Sequence, residues 1–158
     1  MIDTRGKTLV LYDGVCGLCH RVAKFILPRD RHDRFLFAPL QSRFARAILR
    51  RHGRDPDALD TVYVVLDHDG PDERIYGRSR AALQIARVLG GVWKLALVLG
   101  ILPDFLLDFL YDRVAKVRYR LFGKHDVCTI PSPAERKKFV AMDDLEPEAD
   151  PATAAAAA

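Results

Sequence analysis

The sequence lacks the features that mark several specialised classes of protein. Three cysteines among 158 residues are too few for a small fold held together by disulfide bonds. No internal repeat is visible, and the content of 49% hydrophobic and 29% charged residues is close to an average globular composition. This balance excludes a wholly disordered, collagenous or coiled-coil chain and predicts one domain with a full hydrophobic core.

A strong excess of charge of one sign is also missing. The 25 lysine and arginine residues and the 21 aspartate and glutamate residues leave a formal net charge of +4, and this excess is spread along the chain. A modest, scattered positive charge permits weak contacts with anions, but it does not predict binding to nucleic acid.

Long hydrophobic runs and a secretion signal are absent from the sequence as well. The longest apolar run, 95–102, is far shorter than the roughly 20 residues that cross a bilayer. The first seven residues contain neither an apolar stretch nor a small-residue cleavage site, so we expect a reducing, cytoplasmic setting. In that setting, paired cysteines serve in redox chemistry or metal binding more often than in structural disulfides.

The first ninety residues alternate between strand-like and helix-like segments. Runs of apolar, β-branched and aromatic residues that end at turn residues predict strands over 7–12, 35–40, 61–66 and 74–76. Apolar residues at helical spacing predict helices over 19–27, 43–51 and 79–89. The stripe that we expect the last of these helices to bury is Ala82, Ile85, Ala86 and Leu89. The resulting order predicts an α/β fold in which helices flank one mixed sheet.

The C-terminal part of the sequence predicts additional helices over 93–102 and 104–122 and a short one over 132–140. The apolar stripe of the second helix is Leu106, Leu110, Val114, Val117 and Leu121. This stripe predicts a buried face, with docking of 92–122 to a membrane or a partner protein as the alternative. Arg118 and Arg120 lie near the negative end of the helix dipole, where positive charge is favourable.

These segments divide the chain into one domain and a tail. The domain covers 1–140, with a core over 7–91 and a helical extension over 92–140. Residues 141–158 are acidic and then alanine-rich, which predicts a disordered tail.

The most informative stretch is a Cys-x-x-Cys pair, formed by Cys16 and Cys19, that follows a predicted strand and turn. This order places Cys16 at a helix N-terminus, where free backbone N–H groups and the helix dipole stabilise a thiolate. Cys19 follows one helical turn later, within reach of a disulfide with Cys16. We therefore expect Cys16 to attack a substrate disulfide and Cys19 to resolve the mixed disulfide.

Other polar residues near the pair have two interpretations each. Asp13 is either a group that accepts a proton from the resolving thiol or tunes the pair, or a turn and cap residue whose carboxylate accepts backbone N–H bonds. His20 either assists the thiolate or faces solvent. Cys128 is a third redox thiol, a metal ligand or a buried small apolar residue.

The same residues also permit other classes of function. Cys16 and Cys19 followed by His20 match the attachment sequence of c-type haem, although no secretion signal accompanies it. The two thiolates also match half of a zinc site or partner-binding module, which Cys128 or a histidine would complete. Asp13 after a strand suits a phosphatase nucleophile, but Val15 stands where that mechanism needs a second aspartate.

Four blocks of the sequence resemble the DCC family of thiol-disulfide oxidoreductases, over roughly residues 8–140. The blocks are LYDGVCGLC around Asp13, Cys16 and Cys19, FAPLQS at 37–42, DTVYVVLD at 60–67 and YRLFGKHDVC at 119–128. The resemblance implies a thioredoxin-like fold and a dithiol/disulfide exchange role. It does not imply a particular substrate. For the exchange chemistry of Cys16 and Cys19 we expect a protein or small-molecule disulfide or dithiol as substrate, an electron donor such as another dithiol protein, and no bound cofactor.

The sequence departs from ordinary thioredoxins in front of its third predicted strand. Thioredoxin-type proteins carry a cis-proline there, beside the dithiol, whereas Asp60 occupies this place. If Asp60 faces the dithiol, its carboxylate raises the pKa of Cys16 and disfavours the thiolate.

Overall fold

The computed structural model describes residues 3–14, 16–57, 61–122 and 135–142. A four-stranded mixed sheet forms its centre, with the strand order β2-β1-β3-β4. The strands are β1 (Thr8–Tyr12), β2 (Phe35–Pro39), β3 (Tyr63–Leu66) and β4 (Arg74–Gly77). β1 pairs in parallel with β2 and antiparallel with β3, and β4 continues the sheet antiparallel to β3.

Helices cover the sheet as the alternating pattern predicts. They are α1 (Gly17–Ile26), α2 (Arg43–Arg51), α3 (Arg78–Leu89) and α4 (Asp104–Phe122). Short 3₁₀ helices cover Leu27–Arg29 and Arg136–Lys138, and a longer one covers Gly91–Ile101. The prediction of an α/β fold is confirmed, and the architecture is consistent with a thioredoxin-like fold. The bounds of the four strands and of α1 to α4 lie within two residues of those predicted.

The two faces of the sheet bury separate apolar clusters because successive strand residues point to opposite sides. Val10 and Tyr12 of β1 contribute to the cluster under α1 and α3, which also contains both cysteines. Leu9 and Leu11 contribute to the cluster under α2, together with Leu49. The dithiol is therefore part of a packed core rather than of a surface loop.

The predicted face of α3 is partly wrong. Ile85 is buried as predicted, but Ala82 is exposed and Leu83 is buried instead. The side chain of Leu83 lies against Gly100, because the 3₁₀ helix Gly91–Ile101 packs along α3. That contact comes from a neighbouring segment, so the periodicity of α3 alone does not reveal it.

The segment 91–101 and helix α4 expose most of their apolar side chains. The sequence predicts an α-helix over 93–102, whereas the structure has a 3₁₀ helix with no buried residue. The apolar stripe of α4 does not form the buried face that its spacing predicts, since Leu110, Val114, Val117 and Leu121 are all exposed. Among the described residues, no helix is both long and apolar enough to cross a bilayer.

The last described segment belongs to the folded core. Phe139 forms a parallel β-bridge with Phe37, stacks on its ring at 5.3 Å and is 6% exposed. The predicted helix over 132–140 is therefore wrong at its end, where only the 3₁₀ turn Arg136–Lys138 forms before the bridge. Met142 contacts the Tyr12 hydroxyl, so the core extends into the first residues assigned to the tail. Residues 143–158 lie outside the described residues.

Candidate active site

The turn after β1 positions the dithiol at the start of α1. The backbone N–H of Cys16 donates to the Asp13 carbonyl at 3.2 Å, which closes the turn. Cys16 is the N-cap residue of α1, and its carbonyl accepts the N–H of His20 at 3.1 Å. The predicted order of strand, turn, dithiol and helix is therefore present, and the backbone N–H groups of the first helical turn are available to the Cys16 sulfur.

The two cysteines form a buried, hydrogen-bonded pair of free thiols. Cys16 is 0% exposed and Cys19 is 4% exposed. The Cys19 thiol donates a hydrogen bond to the Cys16 sulfur, as do the backbone N–H groups of Cys19 and Leu18. The Cys16 sulfur thus accepts several hydrogen bonds, and the Cys19 thiol donates one of them.

This asymmetry separates the pKa values of the two thiols. The hydrogen bond from the Cys19 thiol, with help from backbone N–H groups and the charge of Arg118, lowers the pKa of Cys16 from 9.0 to about 6 against the opposing effect of burial. The same hydrogen bond raises the pKa of Cys19, and burial and the Cys16 charge act in the same direction. At neutral pH the pair therefore holds one negative charge, on Cys16.

Asp13 is buried beside the pair and joins three parts of the fold. Its Oδ1 accepts a hydrogen bond from Gln41 Nε2 at 2.9 Å, and its Oδ2 accepts one from Arg118 Nη2 at 3.4 Å. Gln41 in turn accepts the backbone N–H of Gly14 at 3.1 Å, which ties the turn to the segment after β2. The carboxylate therefore does more than cap a turn, because it also pairs with a charge from α4.

Arg118 is a residue of this site that the sequence interpretation missed. Its side chain is 3% exposed, and its Nη1 lies 3.9 Å from Cys19 Sγ while its Nη2 contacts Asp13. The sequence interpretation assigned Arg118 to the dipole at the end of α4 and not to the dithiol. A signal was present, because Tyr111, Ala115 and Arg118 share one helical face, and that face is directed towards α1.

Several residues singled out in the sequence lie elsewhere. His20 is half-buried in the first turns of α1 rather than fully in solvent. Asp60 and Cys128 fall outside the described residues. The backbone N–H of Val62, at the start of β3, donates to the Tyr111 hydroxyl at 3.0 Å and links this edge of the site to α4.

The described residues give no third ligand for a metal at the dithiol. Within the described ranges, a group of side chains with metal-ligand spacing is His68, Asp69 and Glu73, at the turn between β3 and β4. The Glu73 carboxylate already accepts hydrogen bonds from Arg51 at 2.7 and 2.8 Å and contacts His52 at 2.6 Å. That cluster is separate from Cys16 and Cys19 and is an ion-pair network.

A family model described as DCC1-like thiol-disulfide oxidoreductase matches residues 10–124. The chain belongs to this DCC1-like family. The resemblance seen in the four sequence blocks is thus confirmed, and the matched range contains Asp13, Cys16, Cys19 and Arg118.

Curated relatives of this DCC1-like chain span most of its length. The uncharacterized protein YuxK of Bacillus subtilis is 35% identical over 132 residues, which cover 84% of this chain and 93% of the relative. The chloroplastic DCC family protein At1g52590 of Arabidopsis thaliana is 37% identical over 125 residues, which cover 78% of this chain and 70% of that protein. No solved structure matches the chain.

Proposed function

We propose that this DCC1-like protein is a thiol-disulfide oxidoreductase in which Cys16 attacks and Cys19 resolves. The observation that supports this proposal is the hydrogen bond from the Cys19 thiol to Cys16, which lowers the pKa of Cys16 to about 6. The thiolate is the reactive form in disulfide exchange. A thiol with a pKa near the ambient pH is largely ionised and keeps most of its nucleophilicity.

In the first step, the Cys16 thiolate attacks one sulfur of a substrate disulfide. A bond forms between Cys16 and that sulfur, the substrate disulfide breaks, and the second substrate sulfur leaves as a thiolate. The charge moves from Cys16 to the leaving group. The Cys16 thiolate no longer holds the proton of Cys19 in a hydrogen bond, so this proton is free to pass to the leaving thiolate.

In the second step, the Cys19 thiolate attacks the Cys16 sulfur. The Cys16–Cys19 disulfide forms, the mixed disulfide breaks, and the remaining substrate sulfur leaves as a thiolate that takes a proton from water. The dithiol loses two electrons and the substrate gains them. A dithiol protein, in a reducing compartment such as the cytoplasm, then returns the pair to thiols by the reverse steps.

Arg118 and Asp13 act as positioning residues in this scheme. The guanidinium of Arg118 lies beside Cys19 and stabilises negative charge on either sulfur, since its charge lowers the pKa of both thiols. Asp13 holds that guanidinium in place through a buried ion pair. Because Cys16 is fully buried, attack on a substrate also requires local opening of the segments over its sulfur.

Single cysteine variants test the assignment of the two roles. Purified Cys19→Ser and Cys16→Ser proteins are incubated with oxidised glutathione, and their intact masses are measured, with Cys128→Ser as the matched control. Cys19→Ser should accumulate a mixed disulfide at Cys16, Cys16→Ser should form none there, and Cys128→Ser should form the Cys16–Cys19 disulfide. A Cys19→Ser protein that traps nothing would contradict the proposal.

The same preparations test the alternative of a zinc-binding module. If the thiols of the reduced protein are protected from alkylation until a chelator is added, the pair holds a metal and the redox assignment is wrong. If both thiols are alkylated without a chelator, and a separate unalkylated sample forms the Cys16–Cys19 disulfide on mild oxidation, the metal alternative is wrong.

We also propose that the exposed apolar surface of 92–121 docks on an anionic lipid surface. Large exposed apolar patches mark interaction sites on soluble proteins. Its most exposed members in this region are Val92, Leu95, Ile101, Phe105 and Leu121.

The charges of the same segments favour a negatively charged partner. The acidic residues of α4 face α3, where Asp104 pairs with Arg80 and Asp112 lies near Arg78. Within the described residues, Lys94, Lys116 and Arg120 form no ion pair and are exposed. An apolar surface with unpaired cations matches the interface of an anionic membrane.

A further inference from the structure

A cavity of about 120 Å³ lies against the dithiol, between α1, α3 and α4. Its walls are almost entirely apolar, and they include Leu18 and Val22 of α1, Ile85 of α3, and Val114 and Ala115 of α4. Nothing in the proposed exchange steps uses this space. An empty apolar cavity lowers stability roughly in proportion to its volume, so a ligand that fills it gains affinity.

The cavity leads from the protein surface to the redox pair. Val22, Ala82 and Val114 line it and are also exposed, so they form its mouth. Cys19 and Arg118 line it as well but are almost fully buried, so they form its inner end. The Cys19 thiol is hydrogen-bonded to Cys16, so only one sulfur separates the inner end of the cavity from the attacking thiolate.

Two polar side chains at the inner end are hydrogen-bonded within the protein. Arg118 pairs with Asp13, and the Tyr111 hydroxyl accepts the N–H of Val62. These contacts fix the walls, so the cavity exists before a ligand arrives. Because the walls are almost entirely apolar and the Arg118 charge is paired with Asp13, the cavity offers a polar ligand group little compensation for the water that it would lose.

The volume limits the size of the group. An apolar cavity of about 150 Å³ is known to hold benzene, so 120 Å³ suits a branched aliphatic group of about four carbons. A leucine or isoleucine side chain has this size, whereas an indole ring does not fit.

We propose that this cavity binds a branched aliphatic side chain next to the reacting sulfur, so that the preferred substrate is an aliphatic peptide disulfide. This inference rests on the proposed oxidoreductase function and narrows its substrate class. The cavity positions the substrate sulfur for attack by Cys16, and it selects against acidic or bulky aromatic neighbours.

A set of small disulfides tests the preference. The reduced full chain is mixed with symmetrical disulfides of acetyl-Cys-X-amide, where X is glycine, leucine, aspartate or tryptophan, and the rate of protein oxidation is measured. We expect the leucine disulfide to react at least about tenfold faster than the glycine disulfide. This is the rate difference that an apolar pocket typically gives between side chains that fill it and side chains that do not. The aspartate and tryptophan disulfides should show no such gain.

Two variants test whether the cavity causes this preference for leucine. Ala115→Leu fills the space from its wall, and Ala82→Leu narrows its exposed mouth, so each should bring the leucine-to-glycine rate ratio close to one. Ala47→Leu is the matched control, because Ala47 is exposed on α2 across the sheet, and it should keep the ratio of the unmodified protein. Far-UV circular dichroism tests whether each variant is folded. If Ala115→Leu does not fold, Ala82→Leu alone tests the role of the cavity.

The outcomes separate this inference from the function on which it rests. Exchange with all four disulfides at similar rates would overturn the cavity assignment and leave the oxidoreductase proposal in place. Exchange with none of them would overturn both. A leucine preference that survives in Ala115→Leu and Ala82→Leu would place the specificity outside the cavity and overturn the inference.

Discussion

At the scale of single residues, the site depends on a charge that only one of two neighbouring thiols carries. Local sequence was sufficient to predict that Cys16, Cys19 and Asp13 lie close together, because a strand, a turn and a Cys-x-x-Cys pair are contiguous. It was not sufficient to find Arg118, which contacts Asp13 across 105 positions of the chain. The helical spacing of Arg118 with Ala115 assigns both to one face of α4, but it does not indicate that Asp13 lies opposite that face.

Removal of the Arg118 charge should raise the pKa of Cys16. Arg118→Gln deletes a cation that stabilises the thiolate. It also leaves the Asp13 carboxylate near the sulfurs without its cation, and both effects disfavour negative charge on sulfur. The pH dependence of iodoacetamide alkylation at Cys16 measures the pKa. Arg113→Gln, an exposed change on the same helix, should leave it unaltered, and an unchanged pKa in Arg118→Gln would refute the role given to Arg118.

Ionisation of Cys16 should make the reduced protein more stable as the pH rises from about 6 to 9. The folded-state pKa of about 6 lies below the ordinary value of 9.0, so the stabilisation is complete above pH 9 and is lost as the pH falls through 6. Cys19, whose pKa is raised, opposes this only above about pH 9.

Urea unfolding of the reduced protein at several pH values in this window measures the effect. The free energy of unfolding should rise by on the order of 3 kcal/mol relative to Cys16→Ser, which lacks the Cys16 titration and keeps the groups away from the dithiol unchanged. Parallel pH dependences in the two proteins would show that the Cys16 pKa does not differ between the folded and unfolded states.

At the scale of elements, hydrophobic periodicity predicted where helices form more reliably than which face they bury. The bounds of α4 match those predicted, yet its apolar stripe is exposed and its buried face carries Arg118. Periodicity assumes that the apolar side of a helix faces the core, and a helix that supplies a charge to a buried site breaks this assumption. β1, by contrast, is buried at every residue as a short apolar run predicts.

The ion pair between Asp13 and Arg118 should hold α4 against the turn that carries the dithiol. Arg118→Gln leaves a buried carboxylate without its cation, which typically costs about 3–5 kcal/mol of unfolding free energy. The double variant Asp13→Asn with Arg118→Gln keeps polar groups in both places and removes both charges, so it should recover much of that loss. Chemical denaturation of the single and double variants measures this coupling, and additive losses would show that the two side chains do not interact.

At the scale of the whole molecule, the sequence predicted the sheet, its order of elements and the position of the dithiol. It separated the core from a C-terminal extension, but the structure joins the two through Phe139 on the sheet and Arg118 at the site. These contacts depend on how the chain returns to β2 and to the turn after β1, which composition and spacing do not encode. The same extension carries an exposed apolar surface on the outside of the fold.

That surface should bind vesicles that contain anionic lipid. Leu95, Ile101 and Phe105 are 75–82% exposed, and burying them in a lipid interface removes apolar area from water while nearby cations meet negative headgroups. In a flotation assay, the protein should associate with phosphatidylglycerol-containing vesicles and only weakly with phosphatidylcholine vesicles, and salt should weaken the association. The triple variant Leu95→Ser, Ile101→Ser and Phe105→Ser should lose binding, whereas Ala47→Ser should keep it. The protein could instead bind neither kind of vesicle and form dimers that the triple variant abolishes. In that case a second copy of the chain covers this surface and the lipid proposal is wrong.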